Sequence, residues 1–210
     1  NVLMAHDIYN GVRLWHRKLA GAKRANASHD GSNLALNSDG LFAAIGDHCL
    51  RIDPQSGETL AAYEFPEADD NTNRRWIYTA LNGDLLYGSR SAGSLSSDRV
   101  FAVEIDGGKH RWVYEGKRIA SNAMAIGNGT VFLIDTNVTP EHREQAVEAQ
   151  RRRIGLLPEA ERAAALKDLE NADIRTVVAL DAESGEVRWR KPIDLTHCGG
   201  STLSIVYNEG

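Results

Sequence analysis

The stretch ALDAESGEVRW, from Ala179 to Trp189, predicts two β-strands joined by a tight turn. The residues before Asp181 are β-formers, and those from Val187 onward return to the alternation of a half-buried strand. Between them, the Asp181 side chain can bond its own backbone and Gly185 tolerates a positive φ. The stretch therefore predicts a β-hairpin, and this hairpin recurs along the chain.

The recurring pattern has an acidic residue, a glycine four positions later and a tryptophan eight positions later. Three copies are complete: Asp7, Gly11 and Trp15; Glu104, Gly108 and Trp112; Asp181, Gly185 and Trp189. In a fourth copy, Asp53 and Gly57 are followed by Ala61 where tryptophan is expected. The acidic residues are 46, 51 and 77 positions apart, and a charged insertion lengthens the last step. A period of this size is typical of propellers, solenoids and arrays.

Short predicted strands with regular turns divide the chain into repeated units, which indicates an all-β sandwich, barrel or propeller. The predicted units are a half unit at 1–18, full units at 33–65, 76–115 and 122–191, and a partial unit at 201–210. The first and last units are incomplete, so we expect the chain to be part of a larger propeller.

The segment 139–173 departs from this pattern, because it is rich in Ala, Glu, Arg and Leu. Thr139 followed by Pro140, and Pro158 followed by Glu159, are typical helix starts. We therefore expect a helical insertion with two helices, over 140–153 and 158–171. Two interpretations of it remain open, a helical hairpin packed on the propeller and an element that docks a partner.

Composition excludes several classes of protein. Apolar residues make up 42% and charged residues 25% of the chain, as in a globular protein, and the net charge of −5 does not favour nucleic-acid binding. No apolar run is long enough for a transmembrane helix. Cys49 and Cys198 are too far apart in sequence for any common zinc or Cys-x-x-Cys motif.

The pattern Ala-x-Asp-x-x-x-Gly-x-x-x-Trp resembles the PQQ-enzyme repeat, best in the copy from Ala179 to Trp189. This repeat builds the β-propellers of quinoprotein alcohol dehydrogenases and of the assembly lipoprotein BamB, and similar repeat proteins occur in environmental bacteria. The resemblance implies an all-β propeller of four-stranded antiparallel blades, normally seven or eight in number. A ring of four blades is the alternative for this chain.

The resemblance assigns a structural role to the repeated residues, since the tryptophan of such a repeat packs between neighbouring blades. These blade-packing positions are Trp15, Trp112, Trp189, Gly11, Gly57, Gly108 and Gly185. Ala61 leaves one expected contact without its tryptophan.

Quinoprotein dehydrogenases use an adjacent cysteine pair, a quinone and a Ca²⁺ or lanthanide ion. Cys49 and Cys198 are not adjacent, and no residue of this chain matches a metal-ligand or catalytic-base position. We therefore expect no cofactor, no metal and no catalysis by this segment. The alternative is that it forms part of a PQQ- and Ca²⁺-dependent alcohol or sugar dehydrogenase.

The long predicted loops all lie on one rim of the propeller, where function concentrates in rigid scaffolds. They carry the candidate ligand-binding residues Arg74, Arg75, Arg90, Lys23, Arg24, His29 and His197, together with Lys117 and Arg118. These side chains indicate a site for an anionic small molecule or an acidic partner loop. Asp69, Asp70 and Asp98 lie on the same rim and reduce its positive charge, so the alternative is that these charged loop residues only face water.

Three functional hypotheses follow. The first is a binding or scaffold module whose partner is the rest of the propeller or another protein. The second is part of a quinoprotein oxidoreductase, and the third is an assembly factor similar to BamB. The resemblance alone implies a periplasmic or otherwise extracytoplasmic location.

Overall fold

The structure is a computed structural model that describes residues 2–21, 33–66, 74–93, 96–196, 198 and 203–208. Within these ranges it contains thirteen β-strands and two α-helices. The strands are β1 (Val2–His6), β2 (Arg13–Lys18), β3 (Leu34–Asn37), β4 (Gly40–Ile45), β5 (His48–Ile52), β6 (Thr59–Tyr63), β7 (Trp76–Asn82), β8 (Leu85–Gly93), β9 (Ser96–Glu104), β10 (His110–Gly127), β11 (Thr130–Asp135), β12 (Ile174–Asp181) and β13 (Val187–Asp194). The helices are α1 (Pro140–Ile154) and α2 (Glu159–Glu170).

Every strand pair is antiparallel and joins strands that are neighbours in sequence. Strands β1 and β2 form a hairpin, and β3 to β6 form a four-stranded sheet. Strands β7 to β13 form one seven-stranded sheet in chain order. The prediction of an all-β chain with an α-helical hairpin inserted in one blade is therefore confirmed.

Strand β10 makes two blades into one continuous sheet. Its first half pairs with β9 and its second half with β11, and its register shifts between Glu115 and Ile119 and again before Met124. The sequence predicts two separate strands here, ending near residue 115 and beginning again near residue 122. The chain instead passes from the outer strand of one blade to the inner strand of the next without leaving the β conformation.

The hydrophobic core lies between neighbouring blades. Its largest part is built from β7 to β12 and contains Tyr87, Val100 and Leu133, all almost completely buried. A second part of the core includes Phe42 and Trp76. It joins strand β4 of the four-stranded sheet to strands β7 and β9 of the seven-stranded sheet. The hairpin β1–β2 packs on the four-stranded sheet through Leu3 and Trp15, which are only partly buried.

The repeated turns have one conformation. In the copies that begin at Asp7, Asp53 and Asp181, the aspartate side chain accepts backbone N–H groups two or three residues later. The glycine amide then donates to the backbone carbonyl of the same aspartate, at 2.8 to 2.9 Å. Each glycine has a φ between 71° and 76°, a region that favours glycine over residues with a Cβ.

Each repeated turn inside the chain receives an aromatic residue from the preceding blade. Trp15 lies on the Gly57 turn and donates its indole N–H to the carbonyl of Pro54 at 2.9 Å. Trp112 lies on the Gly185 turn and donates to the carbonyl of Ala182, also at 2.9 Å. The blades are therefore joined by one repeated contact.

The degenerate copy keeps this contact with a different residue. Tyr63, two positions after Ala61, donates its hydroxyl to the carbonyl of Ile105 at 2.8 Å and lies beside Gly108. Ile105 follows the acidic residue of its repeat, as Pro54 and Ala182 follow theirs. Tyrosine therefore replaces tryptophan as the residue that joins these two blades.

The helical hairpin connects β11 to β12 and packs on the sheet. Thr139 caps α1 by accepting the amide of His142, and Pro140 occupies the first helical position, as the sequence predicts. Arg143 donates to the carbonyls of Ala172 at 3.1 Å and of Glu170 at 2.5 Å, at the end of α2. Gln150 bonds Asp194 and ties α1 to the end of β13.

Candidate functional site

The candidate site is the rim where the long connections leave the sheets, and β8 and β9 extend into it. The sequence predicts a Ser- and Gly-rich loop over 91–98, whereas β8 continues to Gly93 and β9 begins at Ser96. Pairing of Ser91 with Ser97 keeps this extension in the sheet. The strands therefore carry polar side chains to the rim on rigid backbone.

Asp98 is the centre of an ion cluster on this extension. Arg90, which is only 4% exposed, binds both oxygens of Asp98, at 3.0 and 2.9 Å. Arg74 approaches the same carboxylate to 2.5 Å from the start of β7. Two guanidinium groups thus share the Asp98 carboxylate.

The two arginines control the ionisation of Asp98. Partial burial by itself raises the pKa of a carboxyl group. Here the hydrogen bond and charge of Arg90, with the charge of Arg74, outweigh burial and hold the pKa of Asp98 below its usual value. Asp98 is therefore ionised at neutral pH and occupied by its two partners.

Asp135 organises the next part of the rim, at the end of β11. It is fully buried and accepts the backbone amides of Lys117, at 3.1 Å, and Arg118, at 2.9 Å. These bonds fix the irregular part of β10, where the register shifts. The side chains of Lys117 and Arg118 consequently project from a rigid backbone and are exposed. Asp135 is not among the residues that the sequence predicts for the site, although an aspartate at the end of the apolar stretch TVFLID is a usable signal.

The candidate ligand-binding residues separate into three groups. Arg74 and Arg90 bind Asp98, as described. The backbone of Arg75 attaches the segment before β7 to strand β8, because the Arg75 amide donates to the Ser91 hydroxyl at 2.9 Å. The other candidates lie outside the described residues: Lys23, Arg24, His29 and His197.

The cysteines offer little nucleophilic chemistry. Cys49 is completely buried, and burial raises the pKa of its thiol to about 12, so it is a neutral thiol at neutral pH. Cys198 is exposed, and both thiols are free. Among the described residues, no group of three or more His, Cys, Asp or Glu side chains could hold a metal ion.

The arrangement of the blades is similar to that of solved structures. The quinohemoprotein alcohol dehydrogenase of Comamonas testosteroni matches 90% of this chain with 13% identity and a TM-score of 0.59. A europium-containing methanol dehydrogenase matches 90% with 14% identity and a TM-score of 0.57. BamB from Moraxella catarrhalis matches 90% with 12% identity and a TM-score of 0.50. The chain has the fold of the PQQ-like β-propellers.

This likeness concerns the fold alone, because the sequence identities are low. No protein-family model and no curated protein matches the chain by sequence. The chain spans 32% of the Comamonas dehydrogenase, 38% of the europium-containing enzyme and 46% of BamB. It is therefore a partial propeller relative to these proteins, as the incomplete first and last units predict. No helix in the described part of the chain is long and apolar enough to cross a membrane.

Proposed function

We propose that this chain is a non-catalytic binding module and that its ligand or partner contacts the rim. The observation that carries the proposal is the charge balance there. Asp98 is occupied by two arginines, and Asp135 is occupied by backbone amides. Arg75, Lys117 and Arg118 form no ion pair with any described residue. These three cations are therefore available to an anionic ligand.

The arrangement suits an anionic group that is larger than a single ion. Arg75 precedes the first strand of its blade, and Lys117 lies in the fourth. Three strand spacings of about 4.8 Å separate such positions, or roughly 14 Å. A flexible acidic peptide or a small molecule with several anionic groups can contact both. Carboxylates and phosphates share the chemistry that lysine and arginine recognise.

A matched pair of double variants tests this proposal. The rim variant is Arg75→Gln with Lys117→Gln, and the control is Arg13→Gln with Lys109→Gln, two exposed cations beside the short turns. Both variants lose the same charge. The probes are a fluorescein-labelled oligoglutamate peptide, followed by anisotropy, and inorganic phosphate as its competitor.

We expect the rim variant to bind the peptide about tenfold more weakly than the unaltered protein. The control should bind as the unaltered protein does. Competition by phosphate at low concentration would show that a compact anion is sufficient for binding at the rim. Equal weakening in both variants, or no binding of the peptide to the unaltered protein, would rule the rim site out.

The fold likeness to dehydrogenases supports an oxidoreductase as the second candidate. Addition of PQQ and Ca²⁺ separates the two functions, with dye-linked oxidation of ethanol as the assay. We expect neither a bound quinone absorption band nor oxidation. Both signals together would replace the binding-module proposal with the enzyme.

The likeness to BamB supports a third candidate, an assembly factor that pairs a partner strand with a blade edge. The resemblance of the repeats also supports an extracytoplasmic location for either binding role. Protection in hydrogen exchange of the edge of β1 that pairs with no described strand, on addition of a partner, would favour edge pairing over the rim.

A further inference from the structure

A chain of polar side chains crosses the boundary between the blade of residues 76–115 and the blade of residues 122–191. Tyr114, which is buried on the outer strand of the first of these blades, places its hydroxyl 3.5 Å from a carboxylate oxygen of Asp135. Arg190, on the outer strand β13 of the second blade, hydrogen-bonds the same hydroxyl. The chain therefore leads from a buried carboxylate to an exposed guanidinium group.

Strand pairing places Arg190 on the face of β13 that is directed towards Tyr114. Arg190 pairs with Val178, and Val178 pairs with Leu133. Directly paired residues of antiparallel strands share one face of a sheet, and Val178 and Leu133 belong to the same buried core as Tyr114. Side chains alternate along a strand, so Trp189 points to the opposite face. The exposed guanidinium of Arg190 consequently lies beside the preceding blade.

The Tyr114 hydroxyl positions Arg190 without forming an ion pair with it. A hydroxyl has one proton to donate and lone pairs that accept. This hydroxyl donates to Asp135 and accepts an N–H of Arg190. Burial raises the pKa of Tyr114, and the hydrogen bond with Arg190 opposes this effect without cancelling it. Arg190 forms no ion pair with a described residue, so its remaining N–H groups are available to a ligand.

Lys117 lies on the other side of the Asp135 carboxylate. Its backbone amide donates to both carboxylate oxygens, at 3.1 and 3.3 Å. Three hydrogen bonds in series, each about 3 Å long, thus connect the backbone of Lys117 with Arg190. The lysine side chain is exposed, and its flexible stem is long enough to contact a ligand that is bound to Arg190.

The acidic residues nearest to these two cations already have partners. Glu115 forms an ion pair with Arg99 at 2.9 Å. Asp135 accepts two backbone amides and the tyrosine hydroxyl. A ligand at Arg190 and Lys117 therefore displaces neither of these acids.

We propose that Arg190 and Lys117 bind a phosphate monoester and that this is the anionic group of the rim ligand. A phosphate monoester has about two negative charges and three acceptor oxygens, so it can contact a guanidinium and an ammonium group at once. A single guanidinium group is sufficient for the one charge and two oxygens of a carboxylate. This inference rests on the proposed function, because it names the group by which the rim recognises its ligand.

Two versions of one labelled peptide test this inference separately from the proposed function. Both are oligoglutamate peptides with a central serine, which is phosphorylated in one version only. The site variants are Arg190→Gln and Lys117→Gln. The control is Arg188→Gln, which loses the same charge from the same strand, at the end where Arg188 already binds Asp181.

We expect the unaltered protein to bind the phosphorylated peptide about tenfold more tightly than the unphosphorylated peptide. Each site variant should lose most of this difference, and the control should retain it. Equal affinity of the unaltered protein for both peptides, or a difference that persists in both site variants, would overturn the phosphate site and leave the rim proposal standing. Absence of binding to either peptide would contradict the proposed function itself.

Competition against the labelled phosphopeptide identifies the source of the phosphate. Glycerol phosphate that competes as well as the unlabelled phosphopeptide would identify a small phosphorylated molecule as the ligand. Competition by the unlabelled phosphopeptide alone would identify a phosphorylated protein segment. Competition by the unphosphorylated peptide that is as strong as that of the phosphopeptide would overturn the inference.

Tyr114→Phe tests whether the tyrosine hydroxyl is a positioning group. This variant keeps every charge and removes only the hydroxyl that Arg190 contacts. We expect the difference in affinity between the two peptides to fall about threefold, while the affinity for the unphosphorylated peptide is unchanged. Equal weakening for both peptides would instead indicate a general loss of structure and would contradict the positioning role.

Discussion

Gly185 occupies a position where the fold requires a residue without a side chain. A Cβ at this position would lie 2.6 Å from the ring of Trp112, and the φ of 72° disfavours any residue with a Cβ. We expect Gly185→Ala to lower the free energy of unfolding by about 3 kcal/mol, from backbone strain and overpacking together. Urea unfolding followed by tryptophan fluorescence measures the loss.

Gly129 is the matched control, in the same blade. Its φ is 62°, but the nearest atom to a Cβ added at this position is the flexible end of Arg188, at 3.7 Å. Gly129→Ala should therefore cost only the backbone strain, about 1 kcal/mol. An equal loss in the two variants would mean that the contact with Trp112 does not stabilise the blade pair.

Tyr63 is an interblade contact residue that the sequence pattern does not predict. The spacing of acid, glycine and tryptophan predicts the hairpin turns from sequence, because the turn chemistry is local. In the degenerate copy the same spacing places the aromatic residue at position 61, which is alanine, and therefore does not identify Tyr63 as the contact residue. Positions two apart on a strand share one face, so an aromatic residue at either position can reach the next turn. A search that allows this shift recovers all of the aromatic contacts described inside the chain.

The extended hairpin of β8 and β9 depends on the cluster around Asp98. Asp98→Asn would remove the carboxylate that binds the buried Arg90, and breaking a buried ion pair costs about 3 kcal/mol or more. We expect the hairpin tip to lose protection in hydrogen exchange and the protein to be destabilised by this amount. Asp106→Asn is the control, because Asp106 is almost fully exposed at 3.5 Å from Arg51 and should change stability little.

The same cluster gives stability a defined dependence on pH. The pKa of Asp98 is lowered in the folded protein, so its contribution is present above the unfolded value of 3.8. It is lost as the pH falls through the lower, folded value. The difference in stability between the unaltered protein and Asp98→Asn should therefore shrink below about pH 4. A constant difference down to about pH 2 would show that the ion pairs do not contribute.

Strands β8, β9 and β10 also show why elements are harder to predict than turns. Ser and Gly between residues 91 and 98 predict a loop. The strands nevertheless stay paired, because Asp98 forms ion pairs and the Ser97 hydroxyl donates a hydrogen bond to the Ser89 hydroxyl at 3.0 Å. Asp135 likewise holds β10 through its irregular centre. Both effects depend on residues that are distant in sequence. The helix starts at Thr139 and Pro158 are local signals, and the sequence places them within one or two residues.

At the scale of the whole molecule, the sequence predicts the propeller but not how charge is distributed on its rim. The period and the turn pattern are sufficient for the fold, because each repeat must bury its faces against the next. For the rim, the sequence predicts a set of cations. The structure pairs Arg74 and Arg90 with Asp98 and leaves Arg75, Lys117 and Arg118 outside its described ion pairs. Spacing along the chain cannot reveal which cations meet an acid across a sheet.

Contacts between adjacent blades make stability uneven along the molecule. The central sheets contain the largest core, whereas β1 and β2 contain no fully buried residue and depend on Leu3 and Trp15. Hydrogen exchange should therefore show β1 and β2 opening at a lower free energy than β9 and β11. Trp15→Ala should abolish protection of β1 and β2, because it removes both the packing on Gly57 and the bond to Pro54. Protection in β9 and β11 should be retained.

Trp189→Ala is the control for this prediction. Its side chain bonds no described turn, so its removal should leave the exchange of β1, β2, β9 and β11 unchanged. Loss of protection throughout the molecule in Trp15→Ala would instead indicate one cooperative unit, in which the terminal hairpin supports the central blades. Selective loss in β1 and β2 would show that the blades are stabilised by their nearest neighbours alone, as expected of stacked repeats.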